Sequence, residues 1–156
     1  MKLLQKKNAF ILLIIICLLL LGFYRDFVFK NMNALIQSHE LNVAFSMPSS
    51  LSVFDHLEYN TLITIKWILT FAFSAFYLIT SMITINILFK NKKYIRITIG
   101  VYIAIILVSA IFMTLGYFLP TTYKNMYSFS RYLMGLVQSP LILMILIPAF
   151  KISEKE

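Results

Sequence analysis

Five side chains of the kinds that bind a divalent metal lie within positions 39–58 of the chain. Imidazole and carboxylate groups are ligands that zinc accepts, so a metal held by them is one possible basis for an enzyme. The two histidines stand on either side of a turn around Pro48, however, and no short ligand motif repeats between them. The spacing therefore favours solvated side chains and predicts neither a metal nor another cofactor. The five residues are His39, Glu40, Asp55, His56 and Glu58.

The sequence offers no good nucleophile for covalent catalysis. Its only cysteine, Cys17, lies in a run of Ile and Leu, where burial would disfavour the reactive thiolate. The serines between positions 38 and 52 have no recognisable nucleophile-elbow motif around them. The sequence thus predicts no catalytic residue, and we expect a protein that is not an enzyme.

Polar residues also stand near the centre of the last apolar run, at Gln138, Ser139 and Pro140. Pro140 has no backbone N–H to donate to the carbonyl of Leu136, so that carbonyl needs another partner. Two interpretations remain open for this group. It marks either a kinked, packed helix or a point in the membrane where a substrate or a partner is recognised.

Two pairs of small residues have the four-residue spacing that lets helices approach closely in a membrane. They are Gly135 with Ser139 in the last apolar run, and Gly100 with Ala104 in the third. We expect both pairs to serve in helix packing, the first also in recognition of a partner.

Charged residues beside the apolar runs predict anchors at a membrane surface. Arg25 and Asp26 follow the first run, and Arg131 precedes the last. Lys66 and Trp67 lie near the start of the second, where lysine extends towards headgroups and an indole favours the interface. Binding of an acidic partner peptide is the alternative to anchoring for Arg131.

The composition excludes an ordinary soluble domain. The chain has 156 residues, of which 60% are hydrophobic and 13% charged, and soluble domains carry roughly 25% charged residues. A fold of this size cannot hide so much apolar surface from water. The net charge of +8 arises from short basic clusters between apolar runs, which argues against nucleic-acid binding.

Four apolar runs predict an all-α polytopic integral membrane protein with four transmembrane helices, forming a single membrane domain over 1–156. A short interfacial helix is expected within the outer segment that follows the first run. No small-x-small site follows that run, so we expect it to be retained as an uncleaved anchor. The predicted spans are 9–24, 61–89, 97–119 and 132–150, with an outer segment at 25–60 and an outer loop at 120–131.

Basic residues are distributed unequally between the two faces of this arrangement. Nine Lys and Arg residues lie on the face of the termini and four on the other, which predicts cytoplasmic N- and C-termini in the inner membrane. None of the spans contains an acidic residue or a central basic one, and this argues against a proton-coupled or cation-coupled transporter.

The last apolar run and the residues before it carry a family resemblance. With the layout of the spans, they resemble small membrane proteins of Bacteroidota that accompany exosortase F. The segment 25–30, Arg-Asp-Phe-Val-Phe-Lys, stands where that family has an acidic, Pro-containing motif. The resemblance implies an accessory inner-membrane protein beside a protein-sorting system, not the sorting peptidase itself. The residues that carry it are Ser130-Arg131-Tyr132-Leu133-Met134, Gln138, Pro140 and Leu146-Ile147-Pro148-Ala149-Phe150.

Three functions are compatible with these observations. The first is a non-enzymatic accessory or structural subunit of an inner-membrane complex, with the lipid bilayer and a membrane protein as partners. The second is a small transporter or channel component in which Gln138, Ser139 and Pro140 line a cavity, with a substrate that the sequence leaves unknown. The third is a membrane enzyme that uses the outer His and acid residues.

Overall fold

Helices account for the regular secondary structure of the residues that the computed structural model describes, 2–119 and 123–154. The prediction of an all-α fold is therefore confirmed. The helices are α1 (Lys2–Leu41), a short 3₁₀ helix (Ser49–Phe54), α2 (Tyr59–Phe89), α3 (Lys92–Phe118), α4 (Tyr123–Val137) and α5 (Leu141–Ser153).

Three stretches are long and apolar enough to cross a membrane: Ile11–Leu41, Tyr59–Phe89 and Lys92–Phe118. The pair α4 and α5 passes the same test only together, as one span bent by 60°. By length and composition, the described residues thus contain three helices that could cross a membrane, or four when the bent pair is one span.

The burial pattern is that of a protein surrounded by lipid. Large apolar side chains such as Leu20, Phe71 and Ile111 are exposed, whereas Ser81 and Thr98 are buried between helices. In water such an apolar surface would drive association, but in lipid it is well solvated. Hydroxyl groups instead need partners inside the bundle, because hydrocarbon offers none.

Buried hydroxyl groups connect α1, α2 and α3, which run antiparallel to one another in sequence order. The hydroxyl of Tyr77 donates to the carbonyl of Leu18, 2.8 Å away, and Ser81 shares a hydrogen bond of 2.9 Å with Tyr102. The turn from α2 to α3 is short because Lys90 adopts a left-handed conformation and the Asn91 side chain caps α3.

The helix that contains the first predicted span, 9–24, does not stop near Tyr24. Helix α1 continues to Leu41, and its 40 residues are about 60 Å long, twice the roughly 30 Å of a bilayer core. No Gly or Pro interrupts the chain between Gly22 and Pro48, and the left-handed Asn42 directly follows the end of α1. The interfacial helix expected after the first span is the continuation of α1.

The part of α1 beyond the apolar run folds with the 3₁₀ helix and the start of α2 around a second hydrophobic core. We call residues 28–65 the head. This core is separate from the larger core of the helical bundle, so the head packs as a unit of its own. The buried side chains of this core are Val28, Met32, Leu35, Met47, Leu51 and Leu62.

The last predicted span is not one continuous helix, and the loop before it is shorter than predicted. Helix α4 begins at Tyr123, and the helical run stops at Gln138, resuming in α5 after Pro140. The carbonyl of Leu136, freed by Pro140, accepts from the N–H of Ser139 at 3.2 Å and from its hydroxyl at 2.8 Å. The kink therefore has its own internal hydrogen bonds.

Some predictions concern residues outside the described ones. They include the first part of the predicted outer loop, 120–122, and the final residues of the tail, 155–156. The side chains of residues 2–10 are also outside the described part of the structure. They include the N-terminal lysines that were counted in predicting the orientation.

Candidate functional site

The amide of Gln138 lies at the break between α4 and α5 and is 1% exposed. Its oxygen accepts from the guanidinium of Arg25, both from Nε at 2.9 Å and from Nη2. Its nitrogen donates to the carbonyl of Thr70 at 2.9 Å and to the hydroxyl of Ser74 at 3.1 Å. An amide has two donors and two acceptor positions, so all four are occupied by protein groups.

Arg25 reaches this amide from α1, at the end of the apolar part of that helix. Its side chain is only 16% exposed, and its Nη1 pairs with a carboxylate oxygen of Asp26 at 2.6 Å. The guanidinium carbon lies 4.8 Å from the ring centre of Phe29. A charge this close to hydrocarbon is tolerable because it is hydrogen-bonded, paired and stacked on an aromatic face.

The receiving groups on α2 are arranged by that helix itself. The hydroxyl of Ser74 donates to the carbonyl of Thr70 at 2.7 Å, which leaves the Ser74 oxygen free to accept from Gln138. The side chains of Arg25, Gln138 and Ser74 and the carbonyl of Thr70 thus form one connected set, which we call the clamp. The clamp joins α1, α2 and the break between α4 and α5.

The chemistry of the clamp is structural. It contains no nucleophile with an adjacent base, and its polar atoms satisfy one another. A hydrogen bond to a charged group contributes about 1.5–3 kcal/mol, so this geometry suits a tie between helices.

Two cavities at the protein surface are lined by residues other than those assigned to a transport path. One, of about 360 Å³, is a shallow depression in the head beside His39 and Asp55. The other, of about 240 Å³, is an apolar crevice between α1 and α2, lined in part by Leu21 and Phe73. Gln138 is instead enclosed by its partners.

The His and acid residues of the head do not converge on a metal position. Among the described residues, no group of three or more His, Cys, Asp or Glu side chains is placed to hold a metal ion. Asp55 accepts from the backbone N–H of Met47 at 2.9 Å, and Glu40 accepts from the hydroxyl of Tyr59 at 2.7 Å. Both carboxylates thus hold the head together.

The predicted pairs of small residues do not pack against helices of this chain. Gly100 and Ala104 are exposed on α3, and a Cβ at Gly100 or at Gly135 would meet nothing within 4 Å. The close approach occurs at Gly116, where a Cβ would lie 3.1 Å from the Cβ of Met126 on α4. The four-residue spacing shows that one face of a helix carries small side chains, but it does not show whether another helix packs against that face.

A pair of serines that the sequence did not single out also joins α3 to α4. The hydroxyls of Ser109 and Ser130 are 2.8 Å apart, and each donates to the backbone carbonyl of the other residue. This reciprocal arrangement satisfies both hydroxyls where lipid cannot.

The predicted charged anchors have different environments. Arg25 and Asp26 pair with each other, and Arg25 is also bound to Gln138. Lys66 is half-buried on α2, and Arg131 is exposed on α4 within electrostatic range of it.

Span-length helices with apolar exteriors and hydrogen-bonded polar interiors define an all-α polytopic membrane protein. Comparison with protein-family models, with curated proteins and with solved structures finds no match for this chain.

Proposed function

We propose that the protein is a non-enzymatic accessory subunit of a complex in the cytoplasmic membrane, holding its head on the outer side. The observation that carries the proposal is the head itself. Helix α1 continues far beyond the length that a bilayer needs and ends in a folded unit with its own core. A chain that served only to pack in lipid would not need this projection.

The head exposes apolar side chains at the end of α1 and in the segment that follows it. At about 1.5 Å per residue, the end of α1 lies roughly 22 Å beyond Asp26. Exposed apolar residues at that distance from lipid are typical of a surface that another protein covers. We call them the tip: Leu41, Val43, Phe45 and Val53.

The resemblance of the last predicted span to small proteins that accompany exosortase F supports the same kind of role. The residues that carry it include Gln138 and Pro140, which the structure places at the break between α4 and α5. We therefore propose protein sorting at the cell envelope as the setting, with a membrane protein as the partner.

The proposed orientation leads to a direct labelling experiment. With Cys17 replaced by Ser, the Ser50→Cys variant should react in intact cells with a thiol reagent that cannot cross the membrane. Such labelling would mean that the 3₁₀ helix, which contains Ser50, lies on the outer side of the membrane. A Ser153→Cys variant is the matched control and should react only after the membrane is opened. The reverse pattern would overturn the orientation.

If a partner protein binds at the tip, a charge placed there should prevent the complex from forming. Val53, 78% exposed, can be replaced by Asp at little expected cost in stability. We expect the wild-type protein to purify in mild detergent with a stoichiometric partner, and the Val53→Asp variant to purify without it at an unchanged melting temperature.

An Asn60→Asp variant adds the same charge at an exposed position near the start of α2 and should retain the partner. Purification of the wild type as a lone monomer would contradict the accessory role. Retention of the partner by Val53→Asp would instead show that the tip is not the docking surface.

A further inference from the structure

Two cations lie on neighbouring helices near the end of the bundle that bears the head. Lys66 on α2 and Arg131 on α4 are within electrostatic range of each other. Neither forms an ion pair with any described acid, and the one ion pair found there joins Arg25 to Asp26. Like charges at close range repel, and a nearby anion would relieve that repulsion.

The helix register places these two residues at neighbouring levels of the bundle. Helices α2 and α4 both run antiparallel to α3 and hence parallel to each other. Gln138 contacts Thr70, and Lys66 lies one turn before Thr70 while Arg131 lies two turns before Gln138. Helical side chains lean towards the N-terminus, so both cations extend towards the head.

Each cation is followed in the sequence by an exposed aromatic residue, Trp67 after Lys66 and Tyr132 after Arg131. Trp and Tyr concentrate at the level of lipid headgroups, where their rings meet hydrocarbon and their polar atoms meet water. Two such pairs on adjacent helices place the cations at the depth of the lipid phosphates.

We propose that Lys66 and Arg131 together bind the phosphate of an anionic phospholipid in the leaflet next to the head. The planar fork of arginine matches two phosphate oxygens, and the lysine ammonium adds a point charge. Glu40 also acts on Lys66, but its carboxylate is engaged by the hydroxyl of Tyr59. A lipid is favoured over an acidic peptide because the aromatic neighbours set the site at headgroup depth.

The experiment uses the full-length protein in a neutral detergent, titrated with phosphatidylglycerol, phosphatidylcholine or inorganic phosphate. Bound lipid is measured by native mass spectrometry and stability by thermal unfolding. We expect phosphatidylglycerol to bind and to raise the melting temperature, and the other two to have little effect. The Arg131→Gln and Lys66→Gln variants should each weaken phosphatidylglycerol binding at least about tenfold.

The two variants should fold without lipid, because each removes one of two repelling charges. The Arg131→Lys variant should recover part of the binding. Lys124→Gln, at an exposed basic position near the start of α4, is the matched control and should bind like the wild type. Equal binding of the two lipids, wild-type binding by Arg131→Gln, or equal stabilisation by inorganic phosphate would each overturn the proposal.

Discussion

Replacement of Gln138 by Leu is expected to lower the free energy of unfolding by about 2–4 kcal/mol. Leu has nearly the volume of Gln, so packing changes little, but Arg25 loses the oxygen that accepts two of its N–H groups. A largely buried guanidinium without that acceptor is more costly than the lost hydrogen bonds alone. Thermal unfolding in detergent, followed by circular dichroism, measures the effect.

Gln37, exposed on the same chain, provides the matched control, and Gln37→Leu should leave the melting temperature close to that of the wild type. The double variant Arg25→Leu with Gln138→Leu should be less destabilised than the sum of the two single variants, because it leaves no largely buried guanidinium without its acceptor. Equal melting temperatures for Gln138→Leu and Gln37→Leu would show that the clamp contributes nothing.

Hydropathy predicted the two middle spans closely, because both ends of each are marked in the sequence. The predicted 61–89 corresponds to Tyr59–Phe89, and 97–119 to Lys92–Phe118. Between them, a basic cluster with Asn91 forms a turn and a helix cap. In this turn, the change from apolar to polar residues coincides with the change from helical to non-helical backbone.

At α1 the two changes do not coincide, because the apolar run stops near Tyr24 whereas the helix continues to Leu41. Polarity rises at Arg25 and Asp26, but a helix ends only where the backbone leaves the helical conformation, at Asn42. The start of α4 shows the same effect, since polar residues near Tyr123 still form a helix that packs on α3. Hydropathy therefore locates the membrane, and turn residues locate the helix ends.

The clamp could be predicted only in part. Sequence analysis singled out Gln138 as polarity at depth and Arg25 as a charged anchor, yet the two residues are 113 positions apart. Their meeting depends on the rotation of α1 and on the bend before Pro140, and neither follows from spacing. The sequence did indicate that both residues need polar partners, because one is an amide within a predicted span and the other a charge at the edge of a span.

The clamp also lies where the apolar run of α1 ends and the head begins. Arg25 is held by Gln138, and Val28, less than one turn further on, belongs to the core of the head. The direction in which the head projects is thus fixed from inside the bundle. A partner that moved the head would act on the break between α4 and α5, which links the proposed accessory role to the bent helix.

The core of the head should therefore be sensitive to a cavity. Leu62 is fully buried there, and Leu62→Ala is expected to destabilise the head by about 2–5 kcal/mol, because it leaves a cavity in the hydrophobic core. Hydrogen–deuterium exchange should rise over 28–58 and stay slow in α3. Leu41→Ala makes the same substitution at the exposed tip and serves as the control. Its hydrogen–deuterium exchange should match that of the wild type. Faster exchange throughout the bundle in Leu62→Ala would mean that the head and the membrane part unfold as one unit.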